Sequence, residues 1–319
     1  MLWYETVMKL TLYSYIQNVL IFFILCFLIT GCGNFDPFYA ASGNPLFLIF
    51  DQNGLVWYSS DGERWDNATI PDAHIVWDAI YTENRIYTVT IEGYGMWTKD
   101  GKLWTSVPIE IIEESTLAIT YGKNQYIAVG IAGKIHHSTD GTTWYNTAIT
   151  GAGRLYDVVY GKDKFITVGE NGAIFWSYDG ISWNDVSPSG NNLYSIAYGH
   201  HRFVAVGDEN EDGKVLWSDD GISWHHVYLG SVRPQRIIYD IGRFIVVGNS
   251  GNIWVSKDGK SWINKKLNTS DDLHGIAFGI DRFITVGHNG RICWSHDGNS
   301  WIESTIGEAV NLTTIVYRP

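Results

Sequence analysis

Seven times in this chain a serine or threonine stands two residues before an Asp-Gly pair, with a tryptophan four residues after the aspartate. The aspartates are Asp61, Asp100, Asp140, Asp179, Asp220, Asp258 and Asp297, spaced by 39, 40, 39, 41, 38 and 39 residues. The tryptophans are Trp65, Trp104, Trp144, Trp183, Trp224, Trp262 and Trp301, and the leading hydroxyls are Ser59, Thr98, Ser138, Ser177, Ser218, Ser256 and Ser295. A motif held at this period marks one supersecondary unit, which buries its apolar faces only by stacking on its neighbours. Glycine supplies the positive φ of a tight turn, and the aspartate carboxylate can accept backbone N–H groups within it. The seven aspartates therefore read as turn residues, not as catalytic acids.

The rest of the unit repeats as well. Residues 193–224 carry LYSIAYG, HHRFVAVG, an acidic stretch and KVLWSDDGISW. These predict four short strands: Leu193 to Tyr198, Phe203 to Val206, Lys214 to Ser218, and a fourth from about Ser223. Four strands in about 40 residues make one blade of a β-propeller. The composition agrees, with 15% aromatic residues and 34 glycines. The first unit opens at LFLIF (46–50), which matches a second strand, and the last residues, LTTIVY (312–317), match a first strand. The fold expected over residues 46–319 is an all-β, seven-bladed propeller closed by pairing of strand 312–317 with the N-terminal blade, which leaves no open seam.

Before the repeats, Val19 to Ile29 form an unbroken apolar run, followed by Thr30-Gly31-Cys32. The run is shorter than a membrane span and suits the apolar core of an export signal. Ile29-Thr30-Gly31-Cys32 resembles a lipobox. That resemblance implies cleavage before Cys32 and acylation of Cys32, giving a signal peptide over 1–31 and a lipidated tether over 32–45. The alternative is an uncleaved anchor helix over residues 11–30. In both cases the domain is exported and membrane-anchored, facing the periplasm or the cell surface. The folded domain keeps only Cys293, which cannot form an internal disulfide.

The seven units resemble the Asp-box, or BNR-like, repeats of sialidase-type propellers and of photosystem assembly-factor propellers. The usual Asp-box has one more residue between Asp and Gly, so these copies are nearer to the compact form found in bacterial repeat proteins. Sialidases gather three arginines on one carboxylate. Here the recurring basic residues Arg85, Lys164, Arg202, Arg243 and Arg282 stand at equivalent turns of separate blades, which does not make a clamp.

Positions outside the repeat carry the candidate chemistry. Asp208-Glu-Asn-Glu-Asp-Gly213 has the opening spacing of a calcium loop, with oxygens on Asp208, Asn210 and Asp212; a solvated acidic loop is the alternative. The adjacent pairs His136-His137, His200-His201 and His225-His226 suit a metal poorly, because neighbours in a strand point to opposite faces. Asp78, Asp157 and Asp240 lie on first strands near the channel. The between-blade stretches 105–116 and 228–236 vary, and the second carries Arg233 and Arg236.

The net charge of −12 disfavours nucleic acid as a partner. Tether, rigid scaffold and the lack of a catalytic constellation point to a non-enzymatic monomer without a cofactor that binds or helps assemble an envelope protein. The alternative is a carbohydrate-binding or glycoside-hydrolase-type propeller. A hydrolase would need two carboxylates about 5–9.5 Å apart in a cleft.

Overall fold

The computed structural model describes residues 46–70, 72, 74–109, 116–188 and 190–319. The expected signal peptide and tether, Cys32 included, lie outside the described residues, as does the stretch 110–115. The described chain forms 28 strands in seven four-stranded antiparallel sheets, one per repeat. Blade 1 joins β1 (Leu46–Asp51), β2 (Leu55–Ser59) and β3 (Asp66–Thr69) to the last strand, β28 (Leu312–Arg318), in the order β28-β1-β2-β3. Each remaining blade takes four consecutive strands. The inner strands are β4 (Val76–Thr82), β8 (Thr116–Gly122), β12 (Leu155–Gly161), β16 (Leu193–Gly199), β20 (Pro234–Asp240) and β24 (Leu273–Gly279) in blades 2 to 7, and β28 in blade 1. Each inner strand packs against the next, and β28 packs between β24 and β4, closing the ring.

The closure matches the sequence expectation. Leu46 pairs with Arg318, Phe47 with Tyr317 and Ile49 with Ile315. The Thr313 hydroxyl donates to the carbonyls of Phe50 and Val76, tying blades 1 and 2 together at the seam.

Second strands are apolar on both faces because each lies between two neighbouring blades. Phe165, Phe203, Phe244 and Phe283 are fully buried at one equivalent position, and the core is a set of between-blade clusters. One joins Ile127 and Val129 of blade 3 to Phe165 and Trp183 of blade 4; another joins Ile245 and Val247 of blade 6 to Phe283 and Trp301 of blade 7.

The repeated turn is a docking element. In blade 4 the Asp179 carboxylate accepts the N–H groups of Ile181 (2.9 Å) and Ser182 (2.8 Å), while the Ser177 hydroxyl accepts from Gly180 (2.8 Å) and donates to Asp179. These bonds hold the carboxyl down to about 2. Gly180 has φ +74°, and a β-carbon there would lie 2.4 Å from Ile127 Cδ1 of the preceding blade. The same reach recurs at Gly221 toward Ile166 and at Gly298 toward Ile245. Glycine is thus required both by the backbone and by the closeness of the preceding blade.

The recurring basic residues complete these contacts. Lys164 donates to the Asp220 carbonyl at 2.6 Å, Arg202 to that of Asp258, and Arg243 to that of Asp297. Arg282 reaches Glu63 at 2.8 Å. Each of these cations ties its blade to the turn of the next, and they do not converge on a shared carboxylate.

Candidate site at the channel mouth

The ring has two faces. One carries the turns just described and the hairpins between first and second strands; four of those hairpins, such as His200-His201, place two successive non-glycine residues at positive φ. The other carries the second-to-third connections, the between-blade loops and the mouth of the channel.

Every inner strand has a bulge near its start. In blade 4 the register passes from Leu155 directly to Asp157, leaving Tyr156 unpaired, and the same slip leaves out the second residue of the other six inner strands. A bulge inserts one residue and re-aims its side chain. Here it takes one side chain per blade out of the ladder: Thr313, Trp77, Leu117, Tyr156, Tyr194, Gln235 and His274, from blade 1 to blade 7. Six of the seven, all but Leu117, line a cavity of about 490 Å³ together with Gln52, Arg233, Arg236, His288 and Asn311. Among the described residues no carboxylate lines it.

The third residue of each inner strand lies beneath. Asp78, Asp157 and Arg236 occupy this level on blades 2, 4 and 6. Arg236 ion-pairs with Asp78 across the channel. Burial opposes the Arg236 charge, but Asp78 and Asp157 outweigh it and hold the guanidinium above its ordinary range. Burial raises the Asp78 carboxyl, with Arg236 pulling the other way. Asp78 Oδ2 accepts the Ile119 N–H of the next blade (3.0 Å). Asp157 Oδ2 accepts from the Ser195 hydroxyl (2.7 Å) and the Ile196 N–H (2.9 Å), and its Oδ1 from Val158 (2.8 Å). Every oxygen of both carboxylates has a donor. The floor is an ion-paired plug stitched to neighbouring inner strands.

Above the plug the wall is aromatic and polar. Tyr156 and Tyr194 lie 5.7 Å apart. The Arg233 guanidinium sits 4.7 Å over the Tyr194 ring and donates to its hydroxyl, which donates to Asp208. His274 and His288 meet edge to face at 4.4 Å. Burial, with the charge of His288, pushes His274 down to about 4, so its imidazole is neutral at ordinary pH. Trp77 is 46% exposed. The mouth offers stacking faces, neutral hydrogen-bonding groups and the guanidinium groups of Arg233 and Arg236, without a paired nucleophile and base among the described residues.

Several sequence expectations are revised. Residues 228–236 are not one loop: Gly230 ends β19 (His225–Gly230) and Pro234 begins β20, so Arg236 is a channel residue. Asp240 ends β20 on the hairpin face, away from Asp78 and Asp157, and accepts the N–H of Ile241. The acidic stretch is not an open loop but a strand extension, with β17 (Arg202–Glu209) and β18 (Asp212–Ser218) joined through Asn210 and Glu211, both at positive φ. Asp208 is taken by Tyr194 and Asp212 by Ser231. Among the described residues no group of three or more His, Cys, Asp or Glu side chains is placed to hold a metal ion. Two of the histidine pairs have local partners: His136 with Asn146 at 2.8 Å, and His225 stacked on Trp217. Cys293 is buried, which pushes its thiol up to about 12.

No protein-family model matches the chain, and no curated protein matches it in sequence. Solved propellers share its fold. YCF48 bound to D1 peptide aligns with a TM-score of 0.62 at 17% identity, over 76% of this chain and 84% of that one. YCF48 from Cyanidioschyzon merolae gives 0.59 at 14%, over 82% and 98%. A catalytically inactive virginiamycin B lyase from Staphylococcus aureus with quinupristin gives 0.68 at 10%, over 83% and 92%. At these identities the likeness is one of fold.

Proposed function

We propose that this chain is a lipid-anchored, non-enzymatic propeller of the bacterial envelope that holds a segment of another envelope protein at its channel mouth. The observation that carries this reading is the mouth itself. A bulge repeated in every blade presents non-repeating side chains, above a floor whose carboxylates are fully engaged. Such a surface selects a ligand by stacking and hydrogen bonding and offers no free acid or base. YCF48, of similar fold, has been solved with a bound D1 peptide, which shows that a scaffold of this shape can hold one. The test is photo-crosslinking from position 235 in the native envelope, followed by mass spectrometry. A stoichiometric membrane-protein adduct, lost when Trp77 and Tyr156 are replaced by alanine, is expected.

A second reading, a carbohydrate-binding propeller, rests on one observation: the aromatic side chains of Trp77, Tyr156 and Tyr194 line the mouth, where a sugar ring could stack. Retention of glycan or peptidoglycan instead of protein, abolished by Trp77→Ala, would favour it over the assembly reading.

A further inference from the structure

The hairpin face carries a feature that neither folding nor the mouth explains. The first-to-second-strand hairpins place Glu83, Lys123, Lys162 and His200 at their leading turn position in blades 2 to 5, all at positive φ. In blades 6 and 7 that position holds Ile241 (φ 37°) and Ile280 (φ 59°). A β-branched residue in the left-handed region is strained. Both side chains also stand in solvent, 46% and 44% exposed. Leu103, Ile181 and Ile222 are exposed at the Asp-Gly turns of the same face, but only Ile241 and Ile280, on adjacent blades, combine a large exposed apolar side chain with the strained backbone among the described residues.

The next blade in the ring is blade 1, where the hairpin is replaced by two separate segments: β28 arrives at Arg318, and β1 departs from Leu46 opposite it. The chain therefore enters the propeller on this same face, beside the two isoleucines. The 45 residues before Leu46 include the apolar run from Val19 to Ile29 and the lipobox-like Cys32. From Cys32 the chain reaches at most about 50 Å when extended, enough to tether the domain and too long to orient it. Exposed Lys257 and Arg64 flank the same arc together with exposed Glu63, Asp281 and Asp297, so its apolar tips, and not its charge, set it apart.

We propose that the tips of blades 6 and 7, Ile241 and Ile280, insert into the lipid surface to which the tether is attached, and so hold the mouth facing away from the membrane. This rests on the lipid-anchor reading. Two apolar side chains bind a bilayer weakly by themselves, and the tether supplies the local concentration that makes insertion effective.

The experiment uses the full chain, produced with its leader in bacteria and purified in its mature form. A single cysteine carrying an environment-sensitive fluorophore is placed at position 241, 280 or 200, the last being the same turn position in blade 5. The buried Cys293 stays unlabelled. The proteins are reconstituted into phosphatidylethanolamine–phosphatidylglycerol vesicles containing a lipid-borne quencher. Blue-shifted emission and several-fold stronger quenching at 241 and 280 than at 200 are expected. Mass spectrometry of the same samples reports acylation of Cys32. Acylated protein whose 241 and 280 probes are as wet as the probe at 200 overturns the insertion and leaves the anchor standing. Protein without acyl chains overturns the anchor, and this inference with it.

Discussion

The two faces of the propeller are built on one repeated backbone and treat variation in opposite ways. At the Asp-Gly turns of the hairpin face every blade uses the same residues in the same way. Serine or threonine, aspartate and glycine shape the turn, and a side-chain donor from the preceding blade clips it, as with Gln125 and the Asp179 carbonyl at 2.9 Å. At the mouth the repeat lies in the backbone alone. Seven bulges recur, and what they present runs from threonine through tryptophan to histidine. Stability calls for identity between blades, because each interface must close at the same angle. Recognition calls for difference, because seven identical side chains would make a symmetric ring with nothing to orient an asymmetric ligand.

The sharpest way to break this comparison is to open the ring. Deleting Asn311–Pro319 removes β28, exposing the edge of β1 and unpacking blade 1 from blades 7 and 2. The expected loss is comparable with the whole stability of a domain, about 5–15 kcal/mol, so cooperative thermal unfolding should disappear. An unchanged melting temperature would refute closure through β28.

Next is the plug, where mouth chemistry and ring stability coincide. Arg236→Met leaves Asp78 buried without its partner, at a cost of about 3 kcal/mol because the mouth admits some water. The uncompensated carboxyl then has a folded pKa well above its unfolded value. Stability should therefore be nearer wild type at pH 4 and fall away as pH rises to 7. Urea melts at the two pH values read this directly, and a deficit equal at both would mean that Asp78 is not the group left stranded.

Gly180→Ala tests the hairpin face alone. The left-handed φ and the push against Ile127 together cost about 2 kcal/mol, with ligand binding at the mouth unchanged. A smaller effect comes from Asp179→Asn, which keeps an oxygen for the turn N–H groups but not the charge. The native carboxyl is depressed to about 2, below its unfolded value near 4. Its contribution is fully present above pH 4 and is lost as pH falls toward 2. The gap in melting temperature between variant and wild type should narrow over that window, and a gap constant from pH 7 to pH 2 would show that the charge is not what the turn uses.

The fold was legible because its determinants repeat. Asp-Gly at a near-constant period fixed the blades, and LTTIVY matched against LYSIAY fixed the seam. The site was legible only in fragments, because its determinants do not repeat. Asp78 and Asp157 stood out as carboxylates on inner strands, yet the cation that pairs with Asp78 is Arg236, more than 150 residues away and hidden in what reads as a loop around Pro234. Tyr156 and Tyr194 look like ordinary strand aromatics. A partial signal existed, since the second residue of LYDVVY, LYSIAY, LHGIAF and LTTIVY varies behind a constant leucine, but the third residue varies as much. Turning it into a site requires the bulge, which no side-chain pattern announces. The acidic stretch misled for a related reason: Asp-x-Asn-x-Asp-Gly fits a cation loop and also fits a hairpin whose strands run two residues further.

The smallest expected effect on stability is also the one that best separates the two faces. Trp77 is half in solvent and Gln235 only partly buried, and neither carries the ring. Trp77→Ala and Gln235→Ala should each change unfolding free energy by less than about 0.5–1 kcal/mol, as surface substitutions do. If the mouth is the recognition surface, the same changes should weaken capture of the crosslinked partner about tenfold, equivalent to about 1.4 kcal/mol, with the larger loss at the tryptophan. Titration of the purified variants against the partner segment measures this, with Gly180→Ala as the reciprocal control. Binding lost in Gly180→Ala and kept in Trp77→Ala would move recognition to the hairpin face and reverse the division of labour argued for the two faces.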